Sequence, residues 1–177
     1  MSRGLTHRLA RLDDVRALKR LIDAAISDLQ KPFLSEAQIA SSRAIMGLDT
    51  QLIEDGTYFV VEVEGELAGC GGWSRRATLY GGDRSEGRNS ALLDPSRDAA
   101  RVRAMYTHPH HMRKGVGRLI LGLCEEAAMA EGFRRVELMA TLAGEPLYRA
   151  CGYEPLESVT DDRGGVAVPL VRMGKTL

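Results

Sequence analysis

The feature that most restricts this chain is a basic, glycine-bearing turn set between an alternating stretch and a helical stripe. Residues 99–107 alternate, with Val102, Ala104 and Tyr106 on one side and Arg101, Arg103 and Met105 on the other, which is the period of a strand. The run Arg113-Lys114-Gly115-Val116-Gly117-Arg118 follows. From Val116 the apolar positions Leu119, Ile120, Leu123, Cys124, Ala127 and Ala128 recur at helical spacing until Gly132. Residues 136–140 then read as another strand. Strand, helix and strand over so short a span imply a parallel, right-handed crossover, so the chain is expected to build an α/β sheet with a helix across one face.

The remaining segments extend that sheet. Residues 7–11 read as a short strand, and Asp13 stands as N-cap ahead of Val15, Leu18, Leu21, Ile22, Ala25, Ile26 and Leu29 at helical spacing. Pro32 breaks this helix. Ser35 and Gln38 form a capping box for a second helix expected to run to about Met46, with Gly47 at its end. Residues 57–63 and 67–73 form a hairpin around Glu64-Gly65. Residues 77–98 are punctuated by Gly81, Gly82, Gly87, Asn89 and Pro95 and predict a long loop. Pro146 opens a short helix carrying Leu147, Tyr148 and Cys151 and stopped by Gly152, and residues 153–159 and 166–173 read as two final strands. No repeat or linker divides residues 1–177, so one α/β domain is expected.

Charge and cysteine content exclude several classes. Lys plus Arg and Asp plus Glu both number 24, so the overall field does not favour a nucleic-acid partner, and any basic site must be local. Cys70, Cys124 and Cys151 are odd in number and widely spaced, which suits reduced, buried thiols in the cytoplasm. No run approaches 18 apolar residues and the start does not read as a leader, so a soluble chain without a membrane partner is expected.

The basic turn has its own chemistry. At a strand-to-helix junction the first backbone N–H groups have no partner within the helix, and they point with the positive end of the helix dipole at whatever lies above. Gly115 and Gly117 keep Cβ atoms out of the way, and Arg113, Lys114 and Arg118 add charge, so the turn reads as a seat for a diphosphate. Gly115-Val116-Gly117 also begins like a dinucleotide fingerprint, but Ile120 stands at its third glycine; a nicotinamide-dependent oxidoreductase is thus the weaker alternative. Gly174-Lys175-Thr176 ends like a phosphate-binding loop, yet Pro169 stands where the leading glycine belongs.

The run Tyr106-Thr107-His108-Pro109-His110-His111-Met112-Arg113-Lys114-Gly115-Val116-Gly117-Arg118, with Pro146-Leu147-Tyr148-Arg149-Ala150-Cys151-Gly152-Tyr153 after it, resembles the GCN5-related N-acetyltransferase (GNAT) family. The order of elements is similar over nearly the whole chain. The resemblance implies a mixed, partly splayed β-sheet flanked by helices, with acetyl-CoA as co-substrate in the splay between residues 99–107 and 136–140. By position, backbone groups of Met105, Tyr106 and Thr107 would hold the pantetheine and polarise the acetyl carbonyl, and Arg113, Lys114, Gly115, Val116, Gly117 and Arg118 would hold the diphosphate. Met112 departs from the Gln or Arg usual in the family, and Thr141 stands where relatives often place an Asn toward the pantetheine.

Tyr148 occupies the position of the family's general acid, suited to reprotonating a departing thiolate. No base is evident. Arg101, Arg103 and Met105 cannot take a proton from an ammonium, Glu62, Glu64 and Glu137 read as solvent-facing strand charges, and a chain of water is the expected route. His108, His110 and His111 lack a matching Cys or His pair, so no metal is expected. The resulting expectation is acetyl transfer to a primary amine of a small molecule, with homodimerisation possible. A non-catalytic acyl-CoA sensor is the other alternative.

Overall fold

Helix α4 (Val116–Ala130) crosses one face of the sheet and joins β4 (Ala100–Thr107) to β5 (Arg135–Thr141), the parallel pair of the molecule. The structure is a computed structural model that describes residues 4–177. Around that crossover the sheet is completed by β1 (Leu5–Leu9), β2 (Tyr58–Val63), β3 (Glu66–Ser74), β6 (Glu154–Asp161) and β7 (Val168–Thr176), in the order β1-β2-β3-β4-β5-β7-β6. All other neighbours are antiparallel. Helices α1 (Val15–Leu29), α2 (Glu36–Ser42), α3 (Thr50–Glu54) and α5 (Glu145–Ala150) complete this mixed α/β fold.

Each face of the sheet has its own core. Leu18, Leu21, Ile22, Ala25 and Ile26 of α1 pack with Leu52 and Ile53 of α3 against Val60, Cys70 and Tyr106. Val116, Ile120, Leu121, Cys124 and Ala128 of α4 pack against Trp73, Val102, Val136 and Leu138 on the opposite face. The helix lies close because β3 is glycine-rich there: a Cβ on Gly69 would collide with Val116, and one on Gly71 would stand 2.7 Å from Ile120. These glycines fix the height of α4 above the sheet, and so the place of its first turn.

Several elements differ from expectation. The first strand lies at Leu5–Leu9, and Arg11 caps a 3-10 turn whose Asp14, not Asp13, accepts the Arg11 N–H. Asp14 wins that role because it also pairs with Arg8. The capping box of Ser35 and Gln38 is present, but α2 stops at Ser42 instead of continuing to Met46. Ser42 turns its hydroxyl back to the Ile39 carbonyl and accepts from buried Gln30, a local use of serine that competes with helix continuation. Helix α3, not expected from sequence, follows at once, capped by Asp49.

The largest difference lies within β4. Cys70 pairs with Tyr106 but Gly72 pairs with Arg103, so β4 carries one more residue than β3 between these points. Ala104 takes up the bulge at φ 52°, a left-handed conformation rare for alanine. The expected alternation therefore fails: Val102 and Met105 pack toward α4, while Ala104 and Tyr106 pack toward α1.

Candidate active site

The site begins where β4 and β5 part. They pair only at Ala100 with Val136 and Arg101 with Glu137, although the strands continue to Thr107 and Thr141. Each stays with its outer neighbour, β4 with β3 as far as Thr107 and β5 with β7 as far as Thr141. The space between them is part of a cavity of about 800 Å³. Beyond Arg101 no strand covers that side of β4, so its backbone polar groups must find partners in the cavity. The bulge is anchored from behind, since the buried Tyr58 hydroxyl donates to the Ala104 carbonyl at 2.7 Å.

The turn before α4 forms one end of the cavity. Gly115 is the N-cap at φ 83° and Arg113 is also left-handed at φ 60°, so the chain doubles back ahead of the helix. The first turn-closing bond is Leu119 N–H to Gly115 O at 3.0 Å, which leaves the N–H groups of Val116, Gly117 and Arg118 without helical acceptors. Arg113, Lys114 and Arg118 are exposed, with no carboxylate within 4.0 Å among the described residues. Three unpaired cations around free N–H groups fit a diphosphate and a further phosphate beside it.

Met105, Tyr106, Thr107, Arg113, Gly115, Val116, Gly117, Arg118, Thr141 and Tyr148 all border the cavity. Lys114 does not border it, and its ammonium leans toward His111 Nδ1 at 3.4 Å. Gly117 has a different task from the one expected. A Cβ there would stand 2.6 Å from Leu147 Cδ2, so its small size seats α5 rather than making room for phosphate. Met112 is exposed and half-turned to the cavity rim, and it adds no charge.

Tyr148 is held over the gap from the other side. Pro146 opens α5, the Tyr148 N–H bonds to Gly144 O, and its ring meets Tyr153 edge to face at 6.0 Å. Gly144 gives the ring its place, since a Cβ would stand 3.0 Å from Tyr148 Cε2. Burial, with the Cys124 and Cys151 thiols adding to it, pushes the phenol well above its usual pKa. Thr141 Oγ1 accepts the Gly144 N–H at 3.1 Å and keeps its own proton to donate.

No expected base reaches this centre. Glu62 pairs with Arg8, Glu137 pairs with Arg172 and Arg101, and neither these nor Glu64 borders the cavity. Among the described residues the bordering carboxylate is Asp28, which pairs with Lys31. His108 Nδ1 accepts the His110 N–H, and no three metal-ligating side chains cluster among the described residues.

Sequence reasoning missed the buried charges beneath the cavity. Asp49 is fully buried, and both Arg103 (2.5 Å) and Arg88 (2.8 Å) approach its carboxylate. The contacts are close enough to pair charges but poorly aligned as hydrogen bonds, leaving Nε and Nη1 of Arg103 without acceptors. Arg103 also donates to Gly81 O at 2.9 Å, which ties the long loop to β4. The available signal was Asp49-Thr50-Gln51, a helix N-cap ahead of apolar Leu52 and Ile53.

The open parallel pair, the helix N-terminus and the phenol together define a site for a phosphate-bearing ligand with an extended arm. Residues 19–153 match the family described as the acetyltransferase (GNAT) family. The chain belongs to that family. Similar folds include a GCN5-related N-acetyltransferase from Rhodopseudomonas palustris, 18% identical, with 97% of this chain and 95% of that one covered at a TM-score of 0.71. The PaiA N-acetyltransferase from Thermoplasma acidophilum in complex with coenzyme A is 12% identical, with 98% and 99% covered at 0.67. A ribosomal-protein-alanine N-acetyltransferase from Brucella melitensis is 18% identical, with 97% and 99% covered at 0.64. At these identities the likeness is one of fold. No curated protein matches the chain.

Proposed function

We propose that this acetyltransferase binds acetyl-CoA in the β4–β5 gap and passes the acetyl group directly to a primary amine of a small molecule in the cytoplasm. The observation that carries the reading is the convergence on one cavity of the unpaired edge of β4, the α4 N-terminus and Tyr148. That a structurally similar N-acetyltransferase was crystallised with coenzyme A supports the same ligand here.

In this reading the diphosphate rests on the N–H groups of Val116, Gly117 and Arg118, and the guanidinium groups of Arg113 and Arg118 flank it. The pantetheine extends along Met105, Tyr106 and Thr107, with the Thr141 hydroxyl available to it. The acceptor ammonium gives a proton to water, its nitrogen attacks the acetyl carbonyl, and backbone N–H groups of the bulged strand stabilise the oxyanion. The C–S bond then breaks, and Tyr148 donates its proton to the thiolate and regains one from solvent. The raised phenol pKa makes Tyr148 a weaker acid, but the same apolar surroundings raise the basicity of the thiolate that forms beside it, so the transfer stays nearly balanced.

Calorimetry with acetyl-CoA and NADH, followed by CoA-thiol release with a panel of amines, tests the proposal. Binding of acetyl-CoA but not NADH, with release stimulated by an amine, is the expected outcome. Binding without release from any amine would make the protein an acyl-CoA sensor instead.

A further inference from the structure

The acceptor half of the cavity lies between the end of α1, the segments on either side of α2, the loop at Leu79–Gly81 and β7. Its walls are carbon: Ile26, Leu29 and Phe33 on one side, Ile45, Leu79 and Leu170 on the other. Acidic side chains, which an acceptor with several ammonium groups requires, are all but absent. Among the described residues only Asp28 borders the cavity, and it is engaged by Lys31 at 3.2 Å. Beneath the floor the charge has the opposite sign, because Arg103 and Arg88 share the single carboxylate of Asp49. In a low-dielectric setting that uncompensated guanidinium charge opposes each additional cation on the acceptor. Polar capacity among the carbon walls is also limited: Gln30, 3% exposed, spends its Nε2 on Ser42 and Ile26 and leaves only Oε1 unpartnered.

From this lining we infer that the acceptor is a monoamine with an apolar body, an alkylamine or arylalkylamine, and not a polyamine or an aminoglycoside. The inference rests on the transferase reading above. The amine, uncharged at attack, reaches the thioester at the β4–β5 gap while its hydrocarbon lies against Phe33, Ile45, Leu79 and Leu170. Phe33 stands at the mouth, 48% exposed, which is the exposure expected of a side chain waiting for an apolar partner.

The test is CoA release with saturating acetyl-CoA and n-alkylamines from butylamine to octylamine, with phenethylamine, spermidine and kanamycin in parallel. Each methylene that enters the carbon walls should raise kcat/KM about fourfold, and spermidine and kanamycin should fall below butylamine. Phe33→Ala, a change at a half-exposed position, should raise the KM for octylamine several-fold and leave calorimetric affinity for acetyl-CoA unchanged. A flat chain-length series, or spermidine or kanamycin outperforming octylamine, overturns the apolar-monoamine assignment and leaves the transferase standing. Absence of release with every amine, although acetyl-CoA binds, overturns the transferase reading and this assignment with it.

Discussion

The hydroxyl of Tyr148 and that of Tyr58 lie on opposite sides of β4 and have different work. Tyr148 faces the cavity and, with its pKa raised by burial, stays protonated through the whole neutral range. Tyr148→Phe is therefore expected to lower the rate of chemistry on the order of 10²-fold or more, read in single-turnover CoA release, while acetyl-CoA affinity holds. Sign also matters for pH: a raised phenol pKa means that activity should show no loss attributable to this group below about pH 10, and a basic limb near pH 8 that vanishes in Tyr148→Phe would contradict it. Tyr58 instead donates to the Ala104 carbonyl at the bulge. Removing that hydroxyl leaves a buried acceptor unpaired, so Tyr58→Phe should cost about 1–3 kcal/mol in urea unfolding and lower turnover by loosening the left-handed residue. Gly117→Val should impair both turnover and stability, because the added carbons meet Leu147, the neighbour of Tyr148.

At the scale of elements, the loop at 77–98 shows what sequence could and could not disclose. Its glycines and lack of period announced a loop. Its anchoring came from residues far away in sequence: Tyr80 donates to Asp161 at 2.7 Å, Arg163 pairs with Asp161 and donates to Glu86 O, and Asp83 accepts from Thr50. Burial alone would raise the Asp161 pKa, but hydrogen bonds from Arg163 and Tyr80 outweigh it and bring it from 3.8 to about 2. A depressed folded-state pKa contributes stability that is complete above the unfolded value and is lost as pH falls toward the folded one. Asp161→Asn should therefore cost about 2 kcal/mol at pH 7, roughly half of that at pH 3, in paired urea titrations. The helical stripes of α1 and α4 and the capping box of α2 were legible because each is set by neighbours within four residues. The bulge at Ala104 was not, since it depends on how β3 and α4 crowd β4, and neither was the pairing of Asp49 with Arg103 and Arg88, 54 and 39 positions away.

For the molecule as a whole, neutrality concentrates the electrostatics in one place. With 24 positive and 24 negative side chains, long-range attraction for an anion is weak, and most cations of the sheet and helices already face carboxylates, as Arg8, Arg76 and Arg172 do. Arg113, Lys114 and Arg118 are left over beside the first turn of α4, with no carboxylate within 4.0 Å among the described residues. Because these side chains are exposed, their attraction for phosphate is screened within about 10 Å at 0.1 M salt, whereas the backbone N–H groups of the turn and the apolar gap behind it are not. Acetyl-CoA affinity should thus fall several-fold between 50 and 500 mM salt and then level off, in calorimetric titrations. Replacing Arg113 and Arg118 together with Gln should weaken binding about tenfold at low salt and remove most of the salt dependence, because what remains is backbone and carbon. A double variant that keeps the full salt slope would place the phosphates away from this turn, and with them the direction in which the pantetheine enters the sheet.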